Sequence, residues 1–262
     1  MIGVAGCGRM GLPMLAALQA AGVAVRGFDI VAKGHPDVTS DAETFAQDID
    51  TLITVVRDEA QTGDVLFGRQ GFVTAAPNLS RVIISSTLSP RYVRALRARI
   101  PADIALMDAP MSGAKVAAEN ARLTFMLGGK AADLDDAEGL FLAMGEKLHR
   151  MGPFGSGMQA KVLNNLLAAS HTAMTRLVLD WSAQTELDEK ALLDVINTSS
   201  GQNWFASGFD NIEFSRDGFA PDNTIGILVK DVAAAIDAAP AASDRVLPQT
   251  IMTQLRNLKT HP

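Results

Sequence analysis

Gly6-Cys7-Gly8-Arg9-Met10-Gly11 sets three glycines at the spacing G-x-G-x-x-G. A short apolar run precedes it, an alanine- and leucine-rich stretch follows it, and a second β-branched run ends in Asp29. In that setting the motif reads as a dinucleotide-binding fingerprint. Gly6 permits the tight turn, Gly8 lets backbone approach a pyrophosphate, and Gly11 allows close helix–strand packing. The helix N-terminus, spanned by Arg9, Met10 and Gly11, offers N–H groups and a favourable dipole to the anion. Asp29 accepts from ribose hydroxyls and repels a 2′-phosphate, so the expected cofactor is NAD. Arg26 and Lys33 are nearby cations that leave NADP possible.

Three later segments carry polar groups in apolar surroundings. Asp108-Ala109-Pro110-Met111-Ser112-Gly113-Ala114 follows a strand pattern, where ligands bind in open α/β sheets. Ser112 and the backbone at Gly113 can donate to a carboxylate; a plain turn is the competing reading. Gly155-Ser156-Gly157-Met158-Gln159-Ala160-Lys161-Val162-Leu163-Asn164-Asn165 opens a helical stretch. Lys161 and Asn165 are four residues apart and share one helix face. Burying them without partners is costly, which favours a polar pocket, unless Lys161 reaches solvent along its stem. Lys230-Asp231 follows the apolar run Ile225–Val229 and reads equally well as a surface charge pair.

The elements that must carry these residues alternate. Strand patterns fall at Ile2–Ala5, Ala24–Asp29, Thr51–Val56, Arg81–Ser86, Ile104–Asp108 and Leu123–Leu127. Helical patterns lie at Met10–Ala21, Asp41–Gln47, Glu59–Phe67, Pro90–Ile100 and Ala132–Met144. Continuous apolar runs such as Leu52-Ile53-Thr54-Val55-Val56 suit strands buried on both faces of a parallel sheet. Past Pro153, Gly155 and Gly157 no strand pattern remains. Helices are expected over Met158–Thr185, Glu189–Asn197 and Thr224–Ala239, with a last short one after Pro240-Ala241-Ala242-Ser243. The expected architecture is α/β: a Rossmann-type, doubly wound parallel sheet over residues 1–153, then a smaller all-α domain over 154–262 that serves substrate binding and dimerisation.

Composition narrows the partners. The 262 residues are 48% hydrophobic and 20% charged, which suits a globular chain rather than a disordered one. A net charge of −6 gives no electrostatic case for nucleic acid or an anionic membrane. No stretch has the length and apolarity of a membrane span, and no signal peptide is recognised. The single cysteine, Cys7, excludes an intrachain disulfide and suits a reducing, cytoplasmic setting. Inside the glycine loop it reads as a small buried residue. The four histidines lack metal-ligand spacing, so no metal site is expected.

In order along the chain, these blocks resemble the β-hydroxyacid dehydrogenase family, whose members act on 3-hydroxyisobutyrate, threonate and, more distantly, 6-phosphogluconate. Gly6–Met14 is similar to its cofactor signature and Asp108–Gly113 to its substrate signature. Gly155–Asn165 is similar to its catalytic signature, and Lys230-Asp231 to a C-terminal Lys-Asp pair. The resemblance implies hydride transfer between a nicotinamide cofactor and a small β-hydroxyacid. Lys161 would be the general acid/base, with Asn165 fixing its geometry. Ser112, Gly113, Asn164, Lys230 and Asp231 would bind substrate, chiefly its carboxylate. Val56, Arg57 and Thr87 would lie along the cofactor. A neighbouring cation such as Lys230, together with burial, would favour the neutral amine of Lys161. A homodimer or homotetramer is expected. Two departures are Ala114, where many relatives carry glycine, and Val56-Arg57, where many carry Leu-Pro. An imine reductase-type enzyme and a non-catalytic cofactor-binding protein share the architecture; the lysine at 161, with Ser112 and Asn165, favours the dehydrogenase.

Overall fold

A computed structural model describes residues 1–261. They form two compact units, Met1–Lys161 and the described residues from Val162 onward, and the division falls inside one long helix.

The first unit runs β1 (Ile2–Ala5), α1 (Gly11–Ala20), β2 (Val25–Phe28), β3 (Val38–Thr39), α2 (Ala42–Asp48), β4 (Thr51–Thr54), α3 (Glu59–Leu66), α4 (Phe72–Ala75), β5 (Arg81–Ile84), α5 (Pro90–Leu96), β6 (Ala105–Asp108), β7 (Met111–Ser112), α6 (Ala114–Glu119), β8 (Leu123–Gly128), α7 (Ala131–Leu142) and β9 (Gly145–Gly152), then enters α8 (Ser156–Ala183). The sheet order is β3-β2-β1-β4-β5-β6-β8-β7, with β9 also paired to β8. β1 to β6 are parallel. β8 runs antiparallel to β6 and β7 and parallel to β9. Helix starts follow local chemistry: Asp41 accepts from the N–H groups of Glu43 and Thr44, Asp58 from Gln61, and Ser89 from Arg91 with Pro90 at the first helical position.

Alternate residues of the central strands enter different cores, as a two-residue side-chain period requires. Leu52, Val82, Ile84 and Leu106 join one cluster with Phe28, Phe45 and Phe72, whose rings lie 4.9–5.4 Å apart. Ile53, Ile83 and Met107 join the other with Met14, Leu18, Phe125 and Phe141. Burial on both faces is why these strands read as unbroken apolar runs.

Several elements depart from the sequence pattern. β3 and β7 are two residues each, too short for a periodic signal. β9 is edge-like: Glu146, Lys147, His149 and Arg150 are exposed, and Arg150 pairs with Asp135 and Glu138 of α7. Charged residues protect such a strand from stray pairing and hide it from an apolar template. The short helices α4 and α6 were not expected, and α5 ends at Leu96 in a series of turns rather than running to Ile100.

The second unit is helical. It contains the rest of α8, then α9 (Glu189–Thr198), α10 (Trp204–Ser207), α11 (Thr224–Ala238) and α12 (Val246–Arg256). α10 is the one short element here without a sequence signal. Ala169 and Ala173 of α8 pack with Ile225, Val229 and Val232 of α11 and Ile251 and Leu255 of α12. Arg176 is fully buried and donates to the carbonyls of Ser215, Asp217 and Lys259 at 2.5–2.8 Å, tying the 215–217 loop and the C-terminal segment to α8. His261 lies buried between Asp180 (Nδ1 to Oδ1, 3.0 Å) and Glu189 (Nε2 to Oε2, 2.5 Å).

Candidate active site

The carboxyl ends of β1, β4, β5 and β6 are adjacent and parallel, and the expected cofactor residues leave the sheet there. Gly6 follows β1 with φ +100°, and a Cβ on it would lie 2.5 Å from the Val55 carbonyl oxygen. A Cβ on Gly11 would collide with the Gly6 carbonyl oxygen. These two positions bring the start of α1 tight against the loop. Gly8 is exposed, and a Cβ there would meet nothing within 4 Å. Its bare backbone therefore opens onto free space beside the N-terminus of α1, with Arg9 exposed and Met10 half-buried alongside. The loop fits a pyrophosphate in space and in donor chemistry.

Asp29 follows β2. Its Oδ1 accepts from the Val31 N–H at 2.9 Å, and its Oδ2 lies 3.3 Å from Lys33 Nζ. Arg26, the other cation the sequence offers, instead pairs with Asp48 at 2.6 Å. The cation at Asp29 is thus Lys33. Cys7 is buried within the loop; burial first, and the Asp29 charge second, push its thiol up to about 12. It is a packing residue in the thiol form.

Beyond β4, the Val56 N–H donates to Ser86 Oγ at 2.9 Å, and Ser86 Oγ reaches the Thr54 carbonyl at 3.3 Å. Ser86 therefore ties the ends of β4 and β5, from which exposed Arg57 and half-buried Thr87 emerge. The Arg57 N–H donates to Gln61 Oε1.

Ser112 lies in β7 opposite Thr124, and Gly113 caps α6. Ala114 has φ +53°, a left-handed conformation that glycine adopts without strain and alanine does not. Asp108, four residues before Ser112, is fully buried and accepts from the N–H groups of Gly155 (2.6 Å) and Met158 (2.5 Å) at the start of α8.

α8 then presents Lys161, 7% exposed, and one turn later Asn165, 9% exposed. Asn164 points the other way, to solvent, with its Nδ2 3.4 Å from Asn165 Oδ1. In the second unit Asn165 Nδ2 donates to Asp231 Oδ2 at 2.6 Å, and Lys230 Nζ lies 3.0 Å from Asp231 Oδ1. Asn165, Lys230 and Asp231, far apart in sequence, form one polar cluster at the junction of α8 and α11. Asp231 is 2% exposed, so the pair at 230–231 is not a plain surface feature.

Sequence reasoning passed over Asp108 and Ser86 as organising residues. Asp108 ends an apolar strand, and a buried acid there demands donors; the glycine pair at 155 and 157 was the available hint. Among the described residues no helix is long and apolar enough to cross a membrane, and no group of three or more His, Cys, Asp or Glu side chains is arranged to hold a metal ion.

Residues 1–152 match the family described as the NAD binding domain of 6-phosphogluconate dehydrogenase. Residues 155–258 match that described as the NAD-binding domain of NADP-dependent 3-hydroxyisobutyrate dehydrogenase. The chain is 31% identical over 250 residues to an L-threonate dehydrogenase of Cupriavidus necator, covering 91% of this chain and 83% of that one. It is 29% identical over 253 residues to an NAD-dependent L-serine dehydrogenase of Pseudomonas aeruginosa, covering 91% and 85%. A solved structure of Mycobacterium tuberculosis 3-hydroxyisobutyrate dehydrogenase with L-serine aligns with a TM-score of 0.79 at 26% identity, covering 98% of this chain and 95% of that one.

Proposed function

The chain belongs to the β-hydroxyacid dehydrogenase family, and from that premise we propose that it oxidises a small 3-hydroxyacid of the threonate, 3-hydroxyisobutyrate or serine type, with Lys161 as the general acid/base. It is an NAD(P)-dependent hydroxyacid oxidoreductase. The observation that supports the residue assignment is the placement of two buried polar side chains, Lys161 and Asn165, one turn apart on α8, the latter held by Asp231.

Gly6, Gly8, Arg9, Met10 and Gly11 would hold the pyrophosphate, Asp29 the adenosine ribose, and Val56, Arg57 and Thr87 the length of the cofactor. Once bound, the nicotinamide supplies the hydride acceptor for oxidation, or the donor for the reverse reaction. The substrate hydroxyl must lose its proton as its carbon loses hydride, so a base is needed within hydrogen-bond reach. In this reading the Lys161 amine takes that proton and returns it in the reverse direction. Ser112 Oγ and the Gly113 N–H donate to the substrate carboxylate. Asn165 orients the reacting hydroxyl and Lys230 adds positive charge, while Asn164, turned to solvent, acts only through its Nδ2 on Asn165 Oδ1.

NAD is the preferred cofactor on the strength of Asp29, and Lys33 is the cation that admits NADP. A homo-oligomer fits the apolar stripe on α8: Leu163, Leu167, Met174 and Trp181 follow at intervals of four, seven and seven residues and are 50–62% exposed. A single buried cysteine suits the cytoplasm. Turnover measured with threonate, 3-hydroxyisobutyrate, glycerate, L-serine and 4-hydroxybutyrate, each with NAD and with NADP, tests the reading. It requires that a 3-hydroxyacid with NAD give the highest kcat/KM; preference for 4-hydroxybutyrate would refute it.

A further inference from the structure

The geometry points to Asp108 as a positioning residue for Lys161: its carboxylate caps the N-terminus of α8 from the end of a distant strand and so fixes the helical turn that precedes the lysine. The inference rests on the assignment of Lys161 as the acid/base.

A helix start leaves N–H groups without intrahelical acceptors, and usually a side chain near the start accepts them. In a capping box two side chains divide the task, one accepting from the third helical residue and one from the cap residue. Here Gly155 stands at the cap and has no side chain to offer. Asp108, 47 residues earlier, performs both tasks: Oδ1 accepts from Gly155, the cap, and Oδ2 from Met158, the third helical residue. Both carboxylate oxygens are committed to the first turn, and Lys161 sits three residues beyond Met158.

The surroundings are built for this contact. A Cβ on Gly128 would collide with Asp108 Oδ1. A Cβ on Gly157 would collide with the Met126 carbonyl oxygen and lie 3.0 Å from Asp108 Oδ2. Glycine at both positions lets the helix end seat on the sheet. Met158 completes the seat, its Sδ 3.4 Å from the Leu88 nitrogen and its side chain fully buried in the core. The glycines of 155–157 thus serve the docking of α8 rather than a phosphate.

The cap needs charge. Burial pushes the Asp108 carboxyl up to about 6, opposed by the N–H groups of Gly155 and Met158 and by Arg94 of α5. Arg94 is the charged group facing it; β8 presents Gly128, and α8 presents Gly155, Gly157 and Met158, none of them titratable. Protonation turns one acceptor oxygen into a donor and leaves one of the two N–H groups without a partner. The cap is complete above about pH 6 and broken below it, so turnover falls as pH drops through that value.

Asp108→Asn keeps the shape and loses one acceptor, so it separates capping from space filling. The expected result is a kcat at least tenfold lower, a KM changed less than threefold, unchanged NAD affinity, and loss of the acid limb near pH 6. An Asn variant with wild-type kcat and acid limb overturns the inference. In the unmodified protein, the Asp108 carboxyl and the Gly155 and Met158 amides should titrate together by NMR near pH 6; amides that do not follow the carboxyl also overturn it, whether or not the variant folds. Lys161→Ala run in parallel distinguishes the two assignments. If it abolishes turnover while Asp108→Asn is silent, positioning fails and the lysine assignment stands. If it leaves turnover intact while the amides still follow the carboxyl, the lysine assignment fails and Asp108 remains a cap alone.

Discussion

Asn165 on α8 donates its Nδ2 to Oδ2 of Asp231 on α11 at 2.6 Å, and both side chains are at least nine-tenths buried. The bond fixes the amide orientation, because a carboxylate accepts only from the nitrogen end. Asn165 Oδ1 therefore faces away from Asp231; it accepts from Asn164 Nδ2 at 3.4 Å and keeps a second lone pair for a donor such as a substrate hydroxyl.

Asp231→Ala should release that orientation and take away the carboxylate to which Asn165 Nδ2 donates. Misplacement of a positioning group costs on the order of 100-fold in rate, and an orphaned buried polar group costs about 1–3 kcal/mol of stability. Steady-state kinetics and urea denaturation read the two effects. A variant with normal kcat/KM would remove Asp231 from the site.

In the proposed reading, cofactor choice turns on Asp29 and Lys33. Asp29→Ala should weaken NAD about tenfold or more, the scale of a lost charge-assisted hydrogen bond, and narrow the gap to NADP. Lys33→Ala should weaken NADP more than NAD. Isothermal titration with each cofactor measures both; NADP binding tighter than NAD in the unmodified protein would contradict the assignment of Asp29.

The legibility of this chain follows from how local each signal is. β4 and β5 were plain because burial on two faces leaves adjacent apolar residues, Leu52-Ile53 and Val82-Ile83-Ile84, instead of an alternating pattern. β9 was hidden because Glu146, Lys147, His149 and Arg150 face solvent. The cofactor loop was readable because its chemistry lies in three glycines within six residues. The pairing of Asn165 with Asp231 spans 66 residues, and α11 packs on α8 through apolar contacts that carry no sequence register for polar partners. The partners of Asp108 are backbone N–H groups, which every residue but proline owns, so no side-chain pattern marked them. Arg26 and Lys33 were equal candidates by proximity in sequence; only the placement of Asp48 separated them.

Asp108 also makes stability and activity respond oppositely to acid. Its carboxyl titrates near 6 in the folded chain, against an ordinary value of 3.8. Between those values the folded chain holds a proton that the unfolded chain releases, so the stability linked to this group rises as pH falls through the window. Wild type should gain on the order of 1 kcal/mol relative to Asp108→Asn between pH 7 and pH 5. Denaturant titrations of both proteins across that range provide the check, and a constant difference would be inconsistent with a titrating Asp108.

Ala114 holds a left-handed conformation beside Gly113. Ala114→Gly should relieve about 1 kcal/mol of strain, partly offset by the greater freedom of glycine in the unfolded chain. The net stability change is expected between zero and about +1 kcal/mol, read by thermal denaturation; a clear loss would show that the methyl group makes a packing contact of greater worth.

His261, set between Asp180 and Glu189, holds the last described residues against α8 and α9. Burial tends to raise the Glu189 carboxyl, but bonds from Arg216 and His261 hold it below its ordinary value. The stability this gives is present above the ordinary Glu value near 4.5 and is lost as pH falls through the lower folded value. His261→Ala should cost about 1–3 kcal/mol and increase hydrogen exchange across residues 258–261. Unchanged exchange there would mean that the Arg176 bonds alone hold the segment.

The most direct test of the account concerns Lys161. Turnover of the preferred 3-hydroxyacid and NAD affinity should be measured separately on Lys161→Ala. The account predicts a loss of about 100-fold or more in kcat, the scale of general acid/base catalysis, with NAD affinity unchanged; wild-type turnover in this variant would contradict it.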